Sequence, residues 1–161
     1  MKIQRSDNHV EMSAIYSDVK QIRQDLREQI LSPGAYCQEY DNFKIIYRFV
    51  ERGLRRSGRQ ANILLLTLTD EKGNFLPLES RVPQLEILKQ IIQASLRIGD
   101  VFTQYSSCQY LLMVLDASMR STELVGKRIC SKFLEEDATG ICLQQEICPL
   151  TPSDQTAEAE E

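Results

Sequence analysis

Residues 97–116 read RIGDVFTQYSSCQYLLMVLD, and this stretch decides the fold. Apolar and polar side chains alternate over residues 101–105, which is typical of a strand with one face on a core. Residues 111–115 are all apolar, as expected for a strand that is covered on both faces. Ser106-Ser107 between them is short enough for a tight turn, although neither residue is the glycine that such turns favour. The stretch therefore predicts a β-hairpin, whose tip carries no acid, histidine or glycine.

A helical pattern with a narrow apolar seam precedes the hairpin and ends at Ser32-Pro33-Gly34. The apolar residues recur every three or four positions, and the residues between them are charged or carry amides. Such a seam suits pairing with another helix. It predicts either a coiled coil between two chains or a helix that folds back on its own domain. The seam consists of Met12, Ile15, Val19, Ile22, Leu26 and Ile30.

Three further helices and two further strands are predicted around the hairpin. A helix begins at Asp41, a residue type favoured at N-caps, and ends at Ser57-Gly58. A strand follows over residues 63–69, and the next helix begins near Pro83 and runs to about Ile98. The remaining elements are a helix that Ser118 or Ser121 caps and a strand over residues 141–150.

The order of these elements, strand–helix–strand–strand–helix–strand, predicts an α+β protein with a split βαβ core of the ferredoxin-like type. We expect a mainly antiparallel sheet with the hairpin in its middle and the helices on one side. No internal repeat or linker divides the core. We therefore predict an N-terminal helical segment over residues 1–34, one domain over residues 35–150 and a disordered acidic tail over residues 151–161.

Composition and charge exclude several classes of protein. The net charge is −4 and the acids concentrate in the tail, which argues against a nucleic-acid surface. No apolar run approaches the ~20 residues needed to cross a bilayer, and the N-terminus lacks the apolar stretch of a secretory signal. The five cysteines show no paired spacing, which indicates free thiols in the cytoplasm. His9 is the single histidine, so the sequence offers few of the ligands that a zinc site requires.

Five arginines form a local cluster on or just after the helix that begins at Asp41. The cluster is interpreted either as a solvated face or as a site for a phosphate or a partner. Its members are Arg48, Arg52, Arg55, Arg56 and Arg59.

The order and spacing of residues 40–150 resemble the GGDEF domain of diguanylate cyclases. The specific part of the resemblance is short, mainly residues 96–115, and includes the apolar strand after the tip. The family's Gly-Gly-Asp/Glu-Glu-Phe signature falls on Ser106, Ser107, Cys108, Gln109 and Tyr110. The resemblance implies the nucleotide-cyclase fold, a variant of the split βαβ plan already predicted.

The same resemblance implies the loss of catalysis. Active members of the family condense two GTP molecules with divalent cations that carboxylates hold, because magnesium needs oxygen ligands with negative charge. Cys108 and Gln109 stand where the signature has acids, and Thr67 stands at the other expected metal-binding carboxylate. A thiol and an amide are poor replacements. We therefore predict a non-enzymatic regulatory or dimerisation module of bacterial signalling, with no catalytic residue, metal or cofactor. A weak nucleotide-processing enzyme is a further alternative.

Arg97 and Asp100 match the spacing of the family's inhibitory Arg-x-x-Asp site for cyclic di-GMP. An arginine fork can bind phosphate or a guanine edge, and an aspartate can accept from guanine N–H groups. This makes a cyclic di-GMP receptor the alternative function. The structural interpretation is that Arg97 complements a helix C-terminus and that Asp100 forms a turn or an ion pair. The expected partners are a second copy or a signalling protein, with cyclic di-GMP as a possible ligand.

Overall fold

The computed structural model describes residues 18–136 and 140–150. The chain divides into two compact units, Met1–Leu31 and Ser32–Glu161, and the predicted boundaries at residues 34 and 150 stay predictions. Two predictions lie outside the described residues: the first part of the seam, with Met12 and Ile15, and the acidic tail. None of the helices within the described ranges is long and apolar enough to cross a membrane.

In the first unit, helix α1 (Asp18–Leu26) buries none of its residues. The predicted helix through Ile30 is wrong, because the helical turns end at Leu26. The backbone N–H of Arg27 donates to the Gln24 carbonyl at 3.2 Å, which tightens the last turn. The Gln29 side chain donates to the same carbonyl at 3.3 Å, so the end of the helix is satisfied locally.

The elements of the second unit are β1 (Tyr36–Cys37), α2 (Tyr40–Ser57), β2 (Ala61–Asp70), α3 (Leu78–Ser95), β3 (Val101–Ser106), β4 (Gln109–Leu115), α4 (Met119–Leu134) and β5 (Ile141–Pro149). The strands form a five-stranded sheet in the order β1-β3-β4-β2-β5, in which β1 is parallel to β3 and the other neighbours are antiparallel. This α+β architecture confirms the predicted fold class. The sequence does not predict the two-residue strand β1.

The sheet carries a hydrophobic core on each face. Leu64, Leu66 and Leu68 of β2 are fully buried against α3 and α4. On the other face, Phe43 and Leu54 of α2 pack with residues of β2, β3 and β4. The prediction that all helices lie on one side of the sheet is therefore wrong. The apolar stripe of a helix shows that one side is buried, but not which face of the sheet it covers.

The ends of α2 and α4 agree with the sequence. Gly58 follows α2 with a φ of 65° and donates to the Leu54 carbonyl at 3.1 Å, as a helix-terminating glycine does. At the start of α4, the Ser118 hydroxyl accepts from the Ser121 backbone N–H at 3.1 Å.

Helix α3 differs from its predicted range, because it begins at Leu78 and ends at Ser95. The carbonyl of Pro77 accepts the N–H groups of Ser80 and Arg81, which starts the helix. Pro83 lies inside the helix. Because proline has no N–H, one carbonyl of the first turn lacks its usual hydrogen bond. Beyond Ser95, the backbone of Leu96 is extended, with a ψ of 159°.

The hairpin turn is Ser107-Cys108, one residue later than predicted. A β-bulge between Gln104 and Ser106 explains the difference, because it inserts one unpaired residue into β3 and shifts the pairing.

Candidate functional site at the hairpin tip

The tip of the hairpin lies beside the end of β2. Thr67 is opposite Gln109 in the register of β2 and β4, and the Leu68 backbone N–H donates to the Cys108 carbonyl at 2.9 Å. The fold therefore brings the signature positions next to Thr67, where the sequence comparison expected a carboxylate.

Neutral side chains form the hydrogen bonds that join Thr67, Ser106 and Gln109 at this tip. The Gln109 amide donates to the Thr67 hydroxyl at 3.2 Å, and the Ser106 hydroxyl donates to the Gln109 amide oxygen at 2.9 Å. Ser106 also accepts the Cys108 backbone N–H at 3.3 Å. The amide and the hydroxyls thus satisfy one another and place no negative charge here. Cys108 itself is 4% exposed, so its thiol faces the protein interior.

Two charged residues belong to the surroundings of the tip, Arg81 through a direct contact and Asp70 at the end of β2. Arg81, which the sequence analysis did not single out, donates to the Ser107 hydroxyl at 2.6 Å and to the Leu76 carbonyl at 3.1 Å. Asp70, at the end of β2, accepts the backbone N–H groups of Asn74 and Lys72 at 2.8 and 2.9 Å. These hydrogen bonds lower the pKa of Asp70, and the bond from Asn74 has the largest effect. Its carboxylate therefore holds the turn after β2.

Within residues 18–136 and 140–150, no group of three or more histidine, cysteine or acidic side chains is placed to hold a metal ion. The chemistry that the tip offers is hydrogen bonding by serine, threonine and amide groups, with one arginine beside them. This combination can bind a polar or anionic group directly.

Arg97 and Asp100 lie at the opposite end of the hairpin. Asp100 is 2% exposed. One of its oxygens accepts the Arg97 backbone N–H at 3.0 Å, and the other accepts the Leu115 backbone N–H at 3.0 Å. The guanidinium of Arg97 donates to the Leu115 carbonyl, yet its side chain is 62% exposed. Asp100 thus accepts two backbone N–H groups and also lies 3.5 Å from the Arg97 guanidinium, as the structural interpretation expected, whereas most of the Arg97 side chain faces solvent.

No protein-family model and no curated protein matches the chain. Solved structures share its fold. The active GGEEF domain of a diguanylate cyclase from Vibrio cholerae has a TM-score of 0.59 at 10% identity, over 70% of this chain and 76% of that chain. The structure of the coiled coil and GGDEF domain of DgcB from Caulobacter crescentus, in complex with c-di-GMP, has a TM-score of 0.59 at 10% identity. The match covers 94% of this chain and 83% of that chain.

A third structure is the diguanylate cyclase SiaD from Pseudomonas aeruginosa in complex with its activator SiaC. Its TM-score is 0.62 at 12% identity, over 92% of this chain and 62% of that chain. At this level of identity the likeness shows the fold alone.

The prediction that the chain is not an enzyme is wrong on this comparison, because the structures that share its fold are of diguanylate cyclases, which are enzymes. That prediction took the side chains at Thr67, Cys108 and Gln109 as decisive. These three positions describe the site and not the fold that carries it. This chain has the GGDEF-like fold of the diguanylate cyclases.

Proposed function

We propose that this protein is a regulatory module of bacterial signalling that dimerises through the apolar seam of α1. The observation that carries the proposal is the exposure of Val19, Ile22 and Leu26, whose side chains are 77%, 53% and 81% exposed. Their spacing of three and four residues places them on one side of the helix. An aligned apolar row of this kind is the pattern by which one helix pairs with another.

The physical driving force is the removal of this row from water. Burying a large aliphatic side chain contributes roughly 1.5–3 kcal/mol, and a dimer would bury the row from both copies. The other side of α1 is polar, with Gln21 donating to Asp25 at 3.1 Å. The helix is therefore suited to pairing along one side with solvent on the other.

Two of the structural comparisons support a module that works through contacts. The DgcB structure contains a coiled coil together with its GGDEF domain, and its likeness extends over 94% of this chain. The SiaD structure is a complex with an activator protein. Transferred to this chain, they support a helical dimer segment and a protein partner as the means of regulation.

Light scattering on the wild type and on Ile22→Asp tests the proposal. We expect a dimer for the wild type and a monomer for Ile22→Asp, because a buried unpaired carboxylate in the seam opposes pairing. Gln24→Asp is the matched control, since it adds the same charge on the polar side of α1 and should remain dimeric. A monomeric wild type, or an Ile22→Asp variant that stays dimeric, would contradict the proposal.

Turnover is measured on the same samples. Incubation with GTP and Mg²⁺, followed by detection of cyclic di-GMP, reports directly on the activity that the fold is known to support in other proteins. The dimer proposal does not depend on the result. If product forms, its dependence on Ile22→Asp shows whether pairing regulates the reaction.

A second candidate function is binding of cyclic di-GMP at Arg97. The exposure of the Arg97 side chain favours it, and the DgcB structure is a complex with this ligand. Titration calorimetry should give heat with the wild type and none with Arg97→Ala. Arg120→Ala, which removes another arginine of the same unit, is the control for loss of charge. The absence of heat with the wild type ends this candidate.

A further inference from the structure

A groove lies along part of α2, beside the face of the sheet on which this helix packs. Its volume is about 420 Å³, which lies within the range of roughly 300–1,000 Å³ typical of small-molecule sites. Ile63 of β2 and Leu111 of β4 form its floor, and both are partly buried. The wall along α2 consists of Tyr40, Phe43, Lys44, Tyr47, Arg48 and Glu51.

The wall supplies aromatic rings in fixed positions. The Tyr40 ring contacts Tyr105 edge-on with 5.2 Å between centroids, and the Lys44 ammonium lies 5.1 Å from the Tyr40 centroid. Tyr47 lies about one helical turn beyond Lys44 on the same wall and is half-buried. Its burial, with the nearby Glu51 charge, raises the pKa of its phenol, so the ring stays neutral. Together with the apolar floor, these rings suit a planar aromatic group.

The charged side chains at the groove differ in whether they already have an ion-pair partner. Lys44 is already 2.8 Å from Asp41, and Glu51 lies 3.9 Å from Arg55. Arg48 is exposed and has no ion pair or hydrogen bond to any residue in the described ranges. Its planar guanidinium can bind a phosphate through two parallel hydrogen bonds. The rim of the groove therefore presents an available cation beside an aromatic and apolar interior.

From this combination we propose that the groove between α2 and the sheet binds an aromatic phosphate, with the ring against Tyr47 and the phosphate on Arg48. The groove does not include Thr67, Ser107 or Gln109 among its lining residues. Leu111 lies two positions inward from Gln109 along β4.

Adenosine 5′-monophosphate, adenosine and inorganic phosphate are the probes for an NMR titration of the full chain. The proposal predicts that the monophosphate shifts the methyl signals of Ile63 and Leu111, and that adenosine or phosphate alone binds at least tenfold more weakly. Equal binding of adenosine and of its monophosphate would remove the role of Arg48. Shifts confined to Thr67 and Ser107 would place the ligand at the hairpin tip and overturn the proposal.

Two variants complete the test. Arg48→Ala should weaken binding of the monophosphate about tenfold or more, the effect expected for a charged hydrogen bond. Arg52→Ala is the matched control, because Arg52 is exposed on the same helix one turn away and does not line the groove. Tyr47→Leu should weaken binding of both adenosine and its monophosphate. Circular dichroism checks that each variant is folded, and equal affinities for Arg48→Ala and Arg52→Ala would overturn the assignment.

Discussion

The carboxylate of Asp100 accepts the backbone N–H of Leu115 at 3.0 Å, and this bond ties the start of β3 to the end of β4. Its other oxygen accepts the N–H of Arg97 after α3. A single buried side chain thus joins three segments at the base of the hairpin.

Replacement of Asp100 by alanine should lower the free energy of unfolding by about 3 kcal/mol, because two backbone N–H groups would lose their acceptor. Arg97→Ala should cost less than about 1 kcal/mol, since the Arg97 side chain is largely exposed. Urea denaturation of both variants measures the difference. Equal losses for the two variants would show that Asp100 does not hold the hairpin.

Two glycines should differ in how much their replacement by alanine destabilises the protein. Gly34 has a φ of 79°, and an added Cβ would lie 2.0 Å from the Gln93 carbonyl oxygen. Gly34→Ala should therefore destabilise by about 2 kcal/mol or more, because backbone must move.

At Gly126 an added Cβ meets the end of the Gln145 side chain, which is exposed and can rotate away. Gly126→Ala should be close to neutral, since alanine favours the helix by up to about 1 kcal/mol. Thermal unfolding compares the two variants. A large loss for Gly126→Ala would mean that Gln145 cannot move.

Alkaline pH should destabilise the protein through Tyr110. Burial, followed by the charges of Cys37 and Glu86, raises the pKa of Tyr110 to about 12, whereas an unfolded tyrosine ionises near pH ~10. The unfolded state therefore releases this proton first, and the contribution to stability is lost as the pH rises from about 10 to about 12.

Tyr110→Phe should flatten this part of the stability profile. At neutral pH the variant should lose about 1 kcal/mol, because the phenol donates to the Leu85 carbonyl at 3.3 Å. Denaturation at a series of pH values gives both quantities. An unchanged alkaline slope would assign the effect to other groups.

Carboxylates at the hairpin tip should create a cation site. Thr67 and Gln109 are opposite one another and 3.2 Å apart at their hydrogen bond, so Thr67→Asp with Gln109→Glu would place two like charges side by side. This double variant should be less stable than the wild type without metal. Saturating Mg²⁺ should raise its Tm by about 5 °C or more, and the wild type should respond less. An equal response of both proteins would contradict this account of the tip.

Much of the fold can be predicted from the sequence because its elements are long and periodic. The apolar stripe of α2 predicts a helix, the apolar run of β2 predicts a strand, and Gly58 predicts where α2 ends. The two-residue strand β1 leaves no periodic signal, since its pairing with β3 joins residues about 65 positions apart. The bulge after Gln104 and the face that α2 covers depend on tertiary contacts in the same way.

At the candidate site, the pairing of β2 with β4 brings Gln109 to Thr67. The family resemblance names both positions, but the order of the elements alone does not give a register between strands that are distant in the chain. Arg81 lies two residues before the predicted start of α3 at Pro83, and only its contact with Ser107 links it to the tip. No spacing rule connects two residues that far apart in the chain.

Asp100 stabilises the base of this hairpin, whereas the residues exposed to solvent lie at its tip. The Asp100 carboxylate accepts the backbone N–H groups of Arg97 and Leu115. The exposed Ser107 lies just beyond the other end of β4, a strand that is about 20 Å long. Residues at the tip can therefore be substituted without breaking the hydrogen bonds of Asp100 at the base. Such a layout allows the surface chemistry of the tip to diversify while the scaffold stays intact.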